Sequence, residues 1–314
     1  MPASSNRIAA QPSPTSRNNA PEPPRTGLVI VNYGKHQLVE DDRGGLQHCV
    51  ARRGLGPLVC GDAVEWRPTG TLEGVIEALL PRRTILFRAT GNHVRRPLVA
   101  NIDQIVIEAA PEPALDAGLI DKYTVAAELA QTQPLIVINK SDLMDSGERK
   151  GLQPLIGEYE RIGYRILFTS ALKNTGIREF SACLSGKASI LVGQSGVGKS
   201  SLVNRLLPDL DITIGKLSAA SGQGKHTTTA TTLYRLPQGG SLIDSPGVRD
   251  FHPGEVAAQE LQRGFREFRP LLGECRFNDC RHLSEPGCAV LAAVAAGRIS
   301  ERRMASYQRL LQPS

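Results

Sequence analysis

The segment Gly193-Gln194-Ser195-Gly196-Val197-Gly198-Lys199-Ser200 restricts the fold of this chain more than any other stretch. It reads G-x-x-x-x-G-K-S, follows the apolar run Ser189-Ile190-Leu191-Val192, and leads through Ser201 into an amphipathic stretch ending at Leu207. Glycines at these places let the backbone curl so that successive N–H groups converge on a phosphate. The helix that follows adds partial positive charge at its N-terminus. A strand, a phosphate loop and a helix in that order belong to a parallel α/β sheet. Within it, Lys199 is expected to reach the β- and γ-phosphates of a nucleotide, and the Ser200 hydroxyl to ligate Mg²⁺.

Further apolar runs at 104–110, 135–139, 166–169 and 242–243, with helical stretches at 119–130 and 199–207, predict the rest of that sheet, covered on both faces. Upstream, the runs 27–31, 55–59, 62–66 and 74–76 are short and broken by glycine, which predicts a small β-barrel. The first 24 residues are rich in Pro, Ser, Asn and Ala and are expected to be a disordered tail. The expected organisation is a tail at 1–24, a barrel at 25–98, the α/β domain at 99–253 and a helical domain at 254–314.

Asn139-Lys140-Ser141-Asp142 closes the run at 135–139 and fits N-K-x-D. In that motif the aspartate accepts from both N1–H and the 2-amino group of guanine. Adenine offers neither donor and would leave a buried carboxylate unpaired, so the motif predicts GTP over ATP. Lys140 is expected to lie along the base, Asn139 to brace the loop, and Ser170-Ala171 to present backbone to the guanine oxygen. Asp244-Ser245-Pro246-Gly247 follows the run at 242–243; Asp244 is expected at the metal and Gly247 at the γ-phosphate. The base-side motifs thus precede the phosphate loop, the reverse of the ordinary order, which predicts a circular permutation.

Gly222-Gln223-Gly224-Lys225-His226-Thr227-Thr228-Thr229 is read as the end of a switch loop, with one threonine of Thr227, Thr228 and Thr229, taken as Thr228, ligating Mg²⁺. Val248 follows Gly247, where many such proteins place a water-orienting glutamine. His226 is therefore the candidate to orient water, with Lys199 as the other catalytic group.

Cys275, Cys280, His282 and Cys288 form C-x₄-C-x-H-x₅-C. Three thiolates and one imidazole fill a tetrahedral zinc site and leave no open position, so a single structural Zn²⁺ is expected. Cys49, Cys60 and Cys183 have no partners at ligand spacing and read as small apolar side chains.

The formal charge is +6, with arginines at 52, 53, 82, 83, 88, 95 and 96 and again at 298, 302, 303 and 309. That distribution favours a polyanionic partner such as RNA. No apolar run is long enough to span a membrane, and none near the start suits a signal peptide. A cytoplasmic location is expected.

Permuted N-K-S-D, S-A, G-Q-S-G-V-G-K-S, K-H-T-T-T and D-S-P-G, followed by C-x₄-C-x-H-x₅-C, resemble the bacterial ribosome small-subunit-dependent GTPase A family. The similarity runs from about Gly27 to the C-terminus. It implies an OB-fold barrel, a permuted GTPase core and a helical zinc domain. It also implies a monomeric factor that binds 16S rRNA and acts late in 30S subunit maturation, with GTP hydrolysis to GDP stimulated by the 30S particle. His226 falls where the family has its suspected catalytic histidine. A GTP-regulated protein acting on another RNA is the alternative reading of the same residues.

Overall fold

The computed structural model describes residues 23–90, 94–209, 230–245 and 256–312. The tail expected at 1–24 lies outside them except for Pro23 and Pro24.

Five strands come first: β1 (Arg25–Asn32), β2 (His36–Asp41), β3 (Leu46–Ala51), β4 (Ala63–Pro68) and β5 (Glu73–Leu79). They pair in the order β1-β2-β3-β5-β4, and β4 returns to β1, which closes the ring and leaves no free edge. β3 and β5 run parallel, and the other barrel pairs are antiparallel. This is the five-stranded barrel of an OB-fold.

Trp66 fills the barrel with Val29, Val39, Cys49, Leu58, Val64 and Ile76. A Cβ on Gly74 would stand 2.6 Å from the Trp66 ring, so the ring's place requires glycine there. The run 55–59, read as strand-like, is irregular: Gly56 and Pro57 interrupt it, yet its Leu58 still reaches the core.

A hairpin, β6 (Ile85–Thr90) and β7 (Val94–Ala100), links the barrel to the α/β layer. The boundary expected at 98/99 falls inside β7. Next come β8 (Gln104–Ala109), α1 (Ala117–Leu129), β9 (Gln133–Ile138), α2 (Ser146–Ile162) and β10 (Arg165–Phe168). They are followed by α3 (Ile177–Leu184), β11 (Ala188–Gly193), α4 (Lys199–Leu206), β12 (Thr232–Arg235) and β13 (Ser241–Asp244).

The strand order is β10-β9-β8-β11-β13-β12, parallel except for β12 at the end. Every residue of β8 is buried, as a strand covered on both faces must be. Side chains set the starts of α1 and α2. Asp116 accepts from the Gly118 and Leu119 N–H groups, and Asp145 forms a capping box with Glu148. One antiparallel pairing, Val31 with Thr232, joins β12 to β1, so barrel and α/β layer share a continuous sheet.

The remaining chain forms α5 (Ala258–Leu261), two 3₁₀ turns over 262–264 and 266–271, α6 (Ala289–Ala295) and α7 (Glu301–Leu310). Its core is aromatic: Phe265, Phe268 and Tyr307 have ring centroids 4.9–5.4 Å apart. Val125 of α1 packs into the same core.

An ion network pins this lobe to the sheet's helices. Asp121, fully buried on α1, accepts from Arg302 and Arg303 at 2.6 Å, from Ser306 at 2.5 Å and from the Tyr159 hydroxyl at 2.7 Å. Arg302 also reaches Glu158 on α2, and Arg303 reaches Glu267. No helix among the described residues is long and apolar enough to cross a membrane.

Candidate functional site

The parallel strands deliver their last residues to one edge of the sheet, where ligands of open α/β sheets sit. β11 ends in Gly193, β13 in Asp244, and β9 and β10 lead into Asn139 and Thr169.

The phosphate-loop segment leaves β11 and returns as α4, whose first residue is Lys199. Gly193, Gly196 and Gly198 have φ of 145°, 84° and 111°. A Cβ on Gly193 would lie 2.1 Å from the Glu108 carbonyl oxygen, and one on Gly198 would lie 2.3 Å from Asn139 Nδ2. The loop therefore lies against β8 and the Asn139 side chain, an approach only glycine permits. Lys199 Nζ donates to the Gly193 carbonyl at 2.8 Å and to the Gln194 carbonyl. Val197 is buried beneath the loop, while Ser195, Gly196, Ser200 and Ser201 face solvent.

Asn139 is the junction of the site. It is fully buried and uses all four of its hydrogen-bonding positions. Its Nδ2 donates to Glu108 Oε1 at 3.0 Å and to the Val197 carbonyl at 3.1 Å. Its Oδ1 accepts from the Thr169 hydroxyl at 3.2 Å and from the Ala171 N–H at 3.3 Å. One amide thus ties together three sequence motifs that lie up to 58 positions apart.

Around it, Lys140 adopts a left-handed conformation with φ 54° and donates from Nζ to the Glu112 carbonyl at 2.8 Å. The Ser141 carbonyl accepts from Arg149 at 3.3 Å. The Ser170 hydroxyl donates to Asp142 Oδ1 and accepts from the Lys173 N–H at 2.9 Å, which fixes the carboxylate's direction.

Asn139, Lys140, Asp142, Ala171, Gly198 and Ser201 line an open cleft of about 590 Å³. Leu143, Leu172, Asn204 and Arg205 complete its wall, and Leu172 is 73% exposed. Asp244 is exposed at the tip of β13, next to a Ser245 hydroxyl 2.8 Å from that of Thr231. His226, Thr227, Thr228, Thr229, Gly247 and Val248 lie outside the described residues.

Sequence reading missed four contributors. Arg205 Nε donates to the Ala171 carbonyl at 2.7 Å and so steadies the Ser170-Ala171 turn from α4. Leu143 and Leu172 supply the apolar walls, and their unusual exposure becomes a signal only once they flank a cleft. Glu108, read as part of a compact apolar run, is a carboxyl only 2% exposed beside the phosphate loop. Burial pushes its pKa up to about 7, against the opposing pull of Lys199, the Asn139 bond and Lys140. A charged residue inside an otherwise apolar strand was the available signal.

In the C-terminal lobe the ligand atoms of Cys275, Cys280, His282 and Cys288 all lie within 4.8 Å of one another. His282 Nδ1 stands 3.3–3.6 Å from the three sulfurs, and Cys275 Sγ is 3.9 Å from Cys288 Sγ. A tetrahedral zinc with ordinary bond lengths has edges of about 3.5 Å for N···S and about 3.8 Å for S···S. The cluster therefore fits a zinc ion.

The other imidazole nitrogen, Nε2, meets Gln262 Oε1 at 2.7 Å, which fixes the tautomer that leaves Nδ1 free to ligate. Burial lowers the His282 pKa and pushes the Cys280 thiol up to about 12, so only a cation at this point makes thiolates favourable near neutral pH. Cys49, Cys60 and Cys183 are buried, and none of the six cysteines is in a disulfide.

The RsgA GTPase family model matches residues 79–253. The small ribosomal subunit biogenesis GTPase RsgA of Pseudomonas aeruginosa is 47% identical over 289 residues, covering 92% of this chain and 85% of its own. The protein of the same name from Azotobacter vinelandii is 49% identical over 293 residues with the same coverage. This chain belongs to the RsgA GTPase family.

Solved structures agree with that placement. YjeQ from Thermotoga maritima superimposes with a TM-score of 0.75 at 33% identity, over 92% of this chain and 97% of that one. YloQ, described as a circularly permuted GTPase, gives 0.73 at 27% identity, over 94% and 96%. The permutation is visible in this chain: β9 and β10, which lead into the base-side residues, precede β11, which leads into the phosphate loop.

Proposed function

We propose that this chain binds GTP in the cleft around Asn139, hydrolyses it to GDP and phosphate, and acts in maturation of the small ribosomal subunit. The observation that carries the reading is the Asn139 amide, which holds the N-K-S-D loop, the phosphate loop and the Ser170-Ala171 turn around one opening.

The base enters between Leu143 and Leu172, with the Lys140 stem alongside. Asp142, aimed by Ser170, accepts from guanine N1–H and the 2-amino group. Ala171 turns its N–H toward the guanine oxygen, giving up only a 3.3 Å bond to Asn139. The phosphates settle on the N–H groups of 193–201: Gly193, Gln194, Ser195, Gly196, Val197, Gly198, Lys199, Ser200 and Ser201. Lys199 exchanges its loop carbonyls for phosphate oxygens. Ser200, Asp244 and Thr228 would hold a Mg²⁺ ion, which would neutralise phosphate charge. Gly247 meets the γ-phosphate and His226 orients the attacking water. Zn²⁺ on the Cys275 cluster is structural.

The units 25–98, 99–253 and 254–314 act as RNA-binding barrel, switch domain and zinc lobe of a cytoplasmic monomer. The RsgA proteins of P. aeruginosa and A. vinelandii are named for small-subunit biogenesis, which supports the 30S particle and its 16S rRNA as partners. The basic residues available for phosphate contact are fewer than the sequence implies. Arg82 is spent on buried Asp62 at 2.6 Å, and Arg302 and Arg303 on the Asp121 network. Arg52, Arg53, Arg88, Arg96, Arg298 and Arg309 remain exposed.

GTP hydrolysis measured with and without purified 30S subunits tests the reading, with Lys199→Ala as a blank. Stimulation by 30S that vanishes in the blank is expected. Turnover indifferent to 30S would leave a GTPase that serves another RNA.

A further inference from the structure

Glu108 sits where a carboxylate is costly. It is the penultimate residue of a wholly buried strand, is itself 2% exposed, and lies behind the phosphate loop. Oε1 accepts from Asn139, whereas Oε2 is buried with no hydrogen-bond partner. The position a Cβ would take on Gly198 is 3.4 Å from Oε1, so the carboxyl is close behind the turn that opens α4. A buried anion held by one neutral bond would sit directly under a loop whose task is to gather anions.

We propose that Glu108 is a positioning residue that couples nucleotide binding to proton uptake: its carboxyl fixes the Asn139 amide against the phosphate loop and becomes the neutral acid when phosphates enter. The inference rests on the reading of the cleft as a nucleotide site and deepens it.

The charges around Glu108 determine the sign. Lys199 on α4 and Lys140 after β9 favour the carboxylate, and burial favours the acid. Asp116 at the start of α1 borders a small void that Glu108 also lines, with Tyr123 and Gln194 as uncharged neighbours. In the free protein these effects balance at about 7. Bound phosphates engage the Lys199 ammonium and bring negative charge of their own, so both changes favour the acid. The proton comes from bulk water and adds to one carboxylate oxygen, and no other bond changes. Nucleotide affinity therefore falls as pH rises through the free-protein value and on toward the higher value of the complex. Protonation also leaves Oε1 able to accept from Asn139, so the junction survives the change.

Calorimetric titration of the full chain with Mg²⁺ and GDP tests this. It is run at pH 7.5 in buffers of different ionisation enthalpy, on the wild-type protein and on Glu108→Gln. The variant keeps an oxygen for Asn139 but cannot ionise. GDP's own ionisation and that of every histidine are common to both proteins and cancel in the difference.

The expected result is that the wild-type protein takes up about half a proton more than the variant, and that its affinity falls about tenfold more between pH 6.5 and 8.5. Equal proton uptake with parallel affinity profiles would overturn the coupling while leaving nucleotide binding intact. Absence of GDP binding by the wild-type protein would overturn the nucleotide reading and the coupling with it. Carboxyl-¹³C glutamate NMR on the wild-type protein needs no variant. It should show one resonance titrating near neutrality that moves to higher pH with GDP, and the absence of any glutamate titrating above pH 6 overturns the proposal.

Discussion

Asp142 stands at the mouth of the cleft with an acceptor-only side chain, and its direction is set by the Ser170 hydroxyl. Asp142→Asn replaces one acceptor by a donor, which clashes with the guanine 2-amino group but suits the C2 carbonyl of xanthine. The substitution should weaken GTP binding by about two orders of magnitude or more and let xanthosine triphosphate bind in its place, read by competition with a fluorescent nucleotide. Residues of this kind are legible from sequence because the chemistry of one base demands one side chain at one spacing. Asn139 was legible as a brace, but not as the meeting point of Glu108, Val197, Thr169 and Ala171, because those partners converge only on folding. Glu108 was missed for a related reason. Its neighbours in sequence are apolar, and the lysine that matters is 91 positions away on α4.

At the level of elements, the strands buried on both faces were read from their continuous apolar runs, and β8, β9, β10, β11 and β13 lie where those runs are. Strands of the barrel are less continuous in sequence. β2 (HQLVED) and β3 (LQHCVA) mix polar and apolar residues too evenly to stand out, although β2 buries three residues in a row once Leu38 meets the α/β core and Val39 the barrel core. The segment carrying the Cys275 cluster has little regular structure of its own, with Cys288 capping the short α6. Its order depends on the cluster itself. Adding 1,10-phenanthroline, or substituting Cys280→Ser, should release about one zinc per chain and make 256–312 sensitive to protease. Structural zinc is worth on the order of 10 kcal/mol in small domains. GDP binding should persist, because the Asn139 junction draws on no residue of that lobe.

Across the whole molecule, the C-terminal lobe is held by charge as well as by its aromatic core. Arg303 is 1% exposed and depends on Asp121 and Glu267 for compensation. Asp121→Ala leaves that guanidinium buried with half its partners. It should destabilise the chain by about 3–5 kcal/mol, read as a lower urea midpoint and early loss of the C-terminal lobe. This lock was not legible beforehand, since arginines at 302 and 303 look like an RNA-facing cluster until the fold turns them inward.

The same lock has a consequence for the order in which the chain is made. Asp121 and Arg303 are 182 positions apart, the second near the end of the sequence. At ordinary rates of synthesis, about ten to forty seconds separate their appearance. During that interval the α1 carboxylate and its neighbour Glu158 must remain hydrated or borrow other cations, and α1 has no lobe to cover Val125. The barrel and the sheet can assemble as they emerge, but their outermost helical face becomes dry only after Arg303 has been added. A nascent chain that stops short of Arg303 therefore leaves Asp121 uncompensated and this face of α1 open.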